Sequence, residues 1–226
     1  MVHWLSHLES DLPAGDAWLS AAEMARLAGF KIAKRRLDWR LGRFTAKRAL
    51  AAYLADRGER LGEFEIHPAD DGAPEPFLDG EPLPLSLSLS HAGGLALCAL
   101  ASSKVALGCD VEKVETRSSV FVRDYFTTAE REFVESAPEA RRARLATLIW
   151  SAKESALKAL REGLRRDTRS VVVEIPEGRP EGGWWPLTVR DNVSEKYFEG
   201  WWRPSHDTVF TVVAAPPPGV PIQLRV

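Results

Sequence analysis

Residues 85–114, LSLSLSHAGGLALCALASSKVALGCDVEKV, constrain the fold more than any other part of the chain. Leu and Ser alternate up to Ser90, Gly93 and Gly94 follow, and two further apolar runs come after them. Strand side chains alternate between faces, so the pattern reads as strand, turn, strand and a third strand over 105–114. The connections are too short for a helical crossover, which predicts an antiparallel meander. Helical periodicity flanks this block. Residues 20–58 read helical, opened by Ser20 with Glu23 three positions on as a capping box, and divided at Gly29 and Gly42. Residues 58–84 are rich in Gly and Pro and read as loops around a short strand at 63–67. Helices are expected at 119–125, at 128–136 with Thr127 or Thr128 as cap and Glu130 in the first turn, and at 138–162 ending at Gly163. Strands are expected at 170–175, 185–190, 197–203 and 208–214, and the PPPGVP tail reads as an exit. The order helix, strands, helix, strands predicts an α+β chain of two similar halves, 1–104 and 105–226, although no residue-level repeat is visible.

With 45% hydrophobic and 27% charged residues, the composition is that of a soluble globular protein with no membrane span. A net charge of −2 gives no global field toward nucleic acid or lipid, so local clusters must carry any such argument. Cys98 and Cys109 lie in apolar runs and read as buried free thiols. The first residues lack the basic and apolar regions of a signal peptide, and a cytoplasmic location is expected.

Four constellations could carry chemistry. Asp110 and Glu112 stand two apart in an apolar strand, so they share one face, about 6 to 7 Å from each other. Val105, Leu107, Cys109 and Val111 take the other face. Like charges so close repel unless a cation or proton lies between them. The pair is either the solvated face of an edge strand or a magnesium site, because that ion takes one or two protein carboxylates and completes its octahedron with water and phosphate oxygens. In the long helix, Trp150, Glu154 and Lys158 are four apart on one face, with Lys153 and Arg161 beside them. They form either a surface Glu-Lys pair or a third acid followed by a phosphate-neutralising lysine. Ser90 and His91 end a strand before a Gly-rich turn. Neighbouring strand residues face opposite ways and no G-x-S-x-G elbow surrounds them, so an anion contact or a structural His is favoured over a nucleophile. In KIAKRRLDWRLGRFTAKR, Arg36, Arg40, Arg43 and Lys47 fall on one helical face, which is either solvated surface or a contact for a polyanionic ligand; no recognition motif points to nucleic acid.

Taken together, LSLSHAGG, LGCDVEKV, YFTTAERE and WSAKESALKAL, in that order, closely resemble the 4′-phosphopantetheinyl transferase superfamily, in its larger, monomeric Sfp-type branch. The family's G-x-D-x-E strand matches at Gly108, Asp110 and Glu112, its F-x-x-x-E turn at Phe126 and Glu130, and its W-x-x-K-E-x-x-x-K helix at Trp150, Lys153, Glu154 and Lys158. The resemblance covers about residues 35–175 well and the ends loosely.

It implies a pseudo-two-fold α+β fold with coenzyme A in the cleft between the halves. The 4′-phosphopantetheine arm would move to a serine of an acyl, peptidyl or aryl carrier protein, releasing 3′,5′-ADP. On matching positions, Asp110, Glu112 and Glu154 would hold magnesium, with Glu154 also the base and a share of that role for Glu112 left open. Lys158 would contact the pyrophosphate, and Lys153 is expected among the coenzyme A contacts. Ser90 and His91 would meet phosphates, Gly72, Ala73 and Pro74 the adenine, and Arg43 the 3′-phosphate, with Arg36 and Arg40 as further candidates. Phe121, Tyr125 and Phe126 would face the carrier. Ala73 departs from the family's Lys, and Arg161 from the first Gly of K-x-x-G-x-G-L. Two other readings compete: a relative that binds coenzyme A or a carrier without transfer, and a polyanion-binding protein using only the basic helix.

Overall fold

The computed structural model describes residues 1–55 and 60–225, so Gly58, expected to close the first helical stretch, lies outside the described residues. It is a mixed helix and sheet structure of the α+β class that separates into two compact units, Met1–Lys104 with Ile222–Val226, and Val105–Pro221.

The first unit is built on a sheet of β1 (His3–Leu8), β5 (Leu85–Ala92), β6 (Leu95–Ser102) and β12 (Ile222–Gln223), in the order β12-β1-β6-β5. Its core joins Leu5, Leu87, Cys98 and Leu100 of the sheet to Ala46, Ala49 and Leu50 of α2 (Ala33–Tyr53). Gly29 does end α1 (Ala21–Ala28), but Gly42 divides nothing and lies buried within α2. Burial of that face outweighs the roughly 1 kcal/mol that a mid-helix glycine costs. The chain after the proline-rich tail is no mere exit, because Ile222–Gln223 pairs in parallel with β1. The Gly-Gly turn joins β5 to β6 with φ of +58° and +79°, which glycine adopts without strain.

The short strand expected at 63–67 is β2 (Phe64–Pro68), and where loops were expected after it, β3 (Pro74–Leu78) and β4 (Glu81–Pro82) complete a small antiparallel sheet. Pro74 and Pro76 hid β3, since proline in a run argues against a strand. They are tolerated because the Pro76 carbonyl points away from β2 to accept the Leu83 N–H, and β4 pairs only with Phe77 and Leu78.

The second unit is an antiparallel sheet of β7 (Ala106–Lys113), β8 (Val171–Glu174), β9 (Trp185–Asp191), β10 (Tyr197–Ser205) and β11 (Thr208–Ala215), in the order β7-β11-β10-β9-β8. The third strand of the expected meander therefore leaves it: β7 pairs with β11, with Thr211 opposite Asp110 and Val213 opposite Gly108. The helix α5 (Glu139–Ala159) covers the sheet through Leu148, Ala152, Ala156 and Leu157, packed on Val171, Leu187, Val189, Val209 and Val213. Ser151 and Ser155 of α5 each meet the Thr211 hydroxyl at 2.8 Å, which satisfies three buried hydroxyl groups together. A β-carbon at Gly108 would stand 1.8 Å from the Ser155 carbonyl oxygen, so only glycine lets α5 lie this close to β7.

The helix ends before Gly163. The N–H groups of Arg161 and Glu162 reach the Lys158 and Leu157 carbonyls, closing a Schellman motif. Arg161 occupies its left-handed position at φ +60°, which accounts physically for the family's preference for glycine there.

Each long helix carries one wholly buried lysine. Lys47 of α2 pairs with Glu23, the capping-box acid of α1, and donates to the Trp18 carbonyl at 3.0 Å. Lys153 of α5 pairs at 2.9 Å with Glu130, the capping-box acid of α4 (Thr128–Ser136), and donates to the Thr168 and Val171 carbonyls.

Gly108→Ala is expected to destabilise the protein by at least about 2 kcal/mol, because the new methyl meets backbone that cannot step aside. Urea unfolding checks this; a shift below about 0.5 kcal/mol would show that α5 can retreat from β7.

Candidate active site

In the second unit, Gly108, Asp110 and Glu112 share the face of β7 that meets α5. Asp110 is 3% exposed, so the solvated edge-strand reading fails even though β7 does lie at a sheet edge. Lys158 of α5 donates to Asp110 Oδ1 at 2.8 Å and to the Cys109 carbonyl at 3.1 Å. Glu112 accepts from Trp150 Nε1 at 3.1 Å through Oε1 and from Arg117 Nη2 at 2.9 Å through Oε2. The spacing of four in α5 thus brings Trp150 and Lys158 onto the two acids of the strand, with Glu154 one turn from each.

The charge balance is uneven. Burial works most strongly against the Lys158 ammonium, but Asp110, Cys109 and Glu154 together hold its pKa above that of an ordinary lysine. Burial and then Asp110 raise the Glu112 carboxyl, against the pull of Arg117 and Trp150. Glu154 is raised from 4.5 to about 7, first through burial and then through Asp110, with Lys158 opposing and Glu112 adding. The cluster therefore holds more negative charge than its lysine and arginine neutralise comfortably.

Among the described residues, no group of three or more His, Cys, Asp or Glu side chains stands close enough to hold a metal ion. Magnesium needs fewer protein ligands than that, one or two carboxylates with water and phosphate oxygens filling the rest. The raised Glu154 carboxyl marks a place where a hard cation would relieve repulsion, so the donor set fits this ion.

Lys153, expected to touch coenzyme A, requires correction. Its ammonium is wholly buried and committed to Glu130 and two carbonyls, and burial lowers its pKa against the pull of Glu130. Glu130, in turn, also accepts from the Val173 and Thr127 N–H groups. Phe126 is 1% exposed in the core, so of the expected carrier-facing aromatics it is excluded. Phe121 packs on Trp150 with ring centroids 4.9 Å apart, and Tyr125 lies 5.2 Å from the same ring.

In the first unit, the basic stripe of α2 is neither solvated surface nor an open anion face. Arg40 meets Asp16 at 2.8 Å, Arg36 reaches Asp16 and the Leu27 carbonyl, and Lys47 is buried on Glu23. Arg43 lies over Trp39 beside Glu23, and burial lowers its pKa to about 10. A different face of α2 opens onto a pocket of about 440 Å³. Lys34, Arg35, Asp38 and Trp39 line it with Arg26 of α1, Phe30, Ile32 and His91 of β5. Lys34 pairs with Asp38 at 2.9 Å, and Arg35 stacks over Phe30. Arg26 was not foreseen, since it stands in an ordinary amphipathic helix with no motif around it. Ser90 is half-buried on the opposite face of β5 from His91. Gly72 takes φ +87° in the β2–β3 turn, where Ala73 donates its N–H to Asp71, so this turn presents backbone and a small side chain.

An antiparallel sheet lies under one long helix, with Asp110 and Glu112 on the edge strand and Glu154 and Lys158 on the helix, so acids and one lysine meet where the helix crosses the strand. Residues 106–207 match the family model described as the 4′-phosphopantetheinyl transferase superfamily. The chain is also 28% identical over 167 residues to the 4′-phosphopantetheinyl transferase HetI of Nostoc sp. (strain PCC 7120 / SAG 25.82 / UTEX 2576), across 72% of this chain and 68% of the relative. The second half of the chain thus resembles the 4′-phosphopantetheinyl transferase superfamily, and the chain is similar over most of its length to a transferase of that type. Among the described residues, no helix is long and apolar enough to cross a membrane.

A carboxyl raised from 4.5 to about 7 on folding contributes stability that is complete below the unfolded pKa and lost as pH rises through about 7. Glu154 is partly exposed, which screens the effect, so the loss between pH 6 and pH 8 is on the order of 1 kcal/mol. In EDTA, wild type should therefore lose melting temperature relative to Glu154→Gln over that interval. A gap that does not change with pH would contradict the raised carboxyl.

Proposed function

We propose that this chain is a transferase that moves the 4′-phosphopantetheine arm of coenzyme A to the serine of an acyl or peptidyl carrier protein and releases 3′,5′-ADP. The observation that carries the reading is the meeting of Asp110 and Glu112 on β7 with Glu154 and Lys158 on α5. The serine hydroxyl oxygen bonds to the phosphorus that carries the pantetheine. The bond from that phosphorus to the bridging oxygen breaks, and 3′,5′-ADP leaves with the oxygen. Glu154, with a carboxyl near neutrality, is suited to take the serine proton. Glu112 is less suited, since both of its oxygens already accept hydrogen bonds.

One or two of the carboxylates of Asp110, Glu112 and Glu154 would hold magnesium, which when bound would neutralise charge on the pyrophosphate. Lys158 adds a positive charge beside it. In the first unit, His91 with Lys34, Arg35 and Arg26 is the better candidate for coenzyme A phosphates, because these residues line an open pocket. Arg36, Arg40 and Arg43 would first have to give up acidic partners. The turn at Gly72, Ala73 and Pro74 remains the candidate for the adenine, and Ser90 a further phosphate contact.

Asp110→Ala and Glu154→Gln should each lower magnesium-dependent transfer by about 10²- to 10⁴-fold while the protein stays folded. Intact-mass measurement of a purified carrier incubated with coenzyme A and magnesium checks this, and full activity in either variant would remove that residue from the mechanism. No mass gain by wild type across several carrier classes would favour a binding protein over a transferase. His91→Ala and the Lys34→Ala, Arg35→Ala double variant should raise KM for coenzyme A more than they lower kcat. An unchanged KM in both would take the anion contacts away from this pocket.

A further inference from the structure

We propose that Arg117 is a positioning residue for the carboxylate of Glu112; this rests on the reading of Glu112 as a magnesium ligand. Arg117 lies in the irregular segment between β7 and α3 (Ser119–Tyr125), and its side chain is only 14% exposed. One arm of its guanidinium reaches Glu112 Oε2 at 2.9 Å and the other reaches Glu115 Oε1 at 3.0 Å. Its guanidinium carbon Cζ lies over the Phe121 ring, 5.0 Å from the centroid, and that same ring packs edge-on against Trp150. Trp150 donates to the other oxygen of Glu112. The contacts close a ring of four side chains, Glu112, Trp150, Phe121 and Arg117, in which each member fixes the next.

The geometry divides the labour of Glu112. Each carboxylate oxygen has about two acceptor positions. One on each oxygen is taken, by an indole N–H and by a guanidinium N–H, and one on each is left for a cation. The carboxylate cannot rotate without breaking both bonds and unstacking Phe121. Residues that orient a metal ligand in this way change metal affinity or activity by about 10- to 100-fold when removed. A lysine could supply the charge but not the fork that spans Glu112 and Glu115 while lying over an aromatic ring.

The test separates this role from simple fastening of the segment to β7. Manganese binding, read from the paramagnetic resonance of the free ion in the presence of coenzyme A, is measured for wild type, Asp110→Ala, Arg117→Ala, Arg117→Lys and Arg117→Gln. In parallel, the magnesium concentration for half-maximal rate and kcat at saturating magnesium are recorded. Arg117→Ala and Arg117→Gln should weaken manganese binding and raise the magnesium requirement by about 10- to 100-fold, with kcat at saturation falling less. Arg117→Lys should fall between them and wild type. If Arg117→Ala does not fold, the Lys and Gln variants decide on the same criterion. Metal dependence within twofold of wild type in the folded variants, even with a lowered melting temperature, overturns the proposal. Unchanged metal binding in Asp110→Ala would instead overturn the metal site on which it rests.

Discussion

The missing side chain at residue 108 governs the assembly of the second unit. With nothing on that face of β7 at Gly108, the backbone of α5 approaches to where a β-carbon would overlap the Ser155 carbonyl. The contacts that α5 makes to the strand acids depend on this approach, because Trp150 and Lys158 reach Glu112 and Asp110 from the same helical segment. The buried hydroxyls of Ser151, Ser155 and Thr211 fill the remaining polar seam. A helix standing farther off would leave those hydroxyls unsatisfied at about 1–3 kcal/mol each. Close packing and the placement of charge are thus one constraint.

Within that constraint the acids are treated differently. Asp110 is balanced by the lysine that lies on it, and Glu112 by an arginine and an indole N–H. Glu154 feels burial and both neighbouring carboxylates, so it alone is moved to about 7. Carboxylates so near one another are thus set in different surroundings, two with cationic or N–H partners and one, among the described residues, without a short bond to either.

Much of this was legible in the sequence for specific reasons. The period of two in 85–114 and the period of four through Trp150, Glu154 and Lys158 are strong signals, and α4 and the strands of the second unit were readable from their own cap residues and β-rich runs. Local signals failed where distant contacts decide. The pairing of β7 with β11 rather than β6, and of Ile222–Gln223 with β1, depends on segments about 100 or more residues away. Gly42 reads as a break, yet burial of its neighbours carries α2 through it. The basic stripe read as solvated surface or an anion contact because its partners, Asp16 and Glu23, lie in loops and caps with no fixed spacing to α2. Arg117 had no periodicity to reveal it.

Lys47 and Lys153 bear on how signature residues are understood. In each unit, a short helix opens with a hydroxyl residue and an acid three positions on, Ser20 with Glu23 and Thr127 with Glu130, and that acid also takes the buried lysine of the long helix. The two units solve the same assembly problem with the same pair, although only the second carries the acidic site. A lysine in the middle of a catalytic signature is therefore a rivet. Loss of activity on changing Lys153 would report the failure of a joint, whatever the role of the neighbouring Glu154. Adjacency in a motif does not make two residues partners in one task.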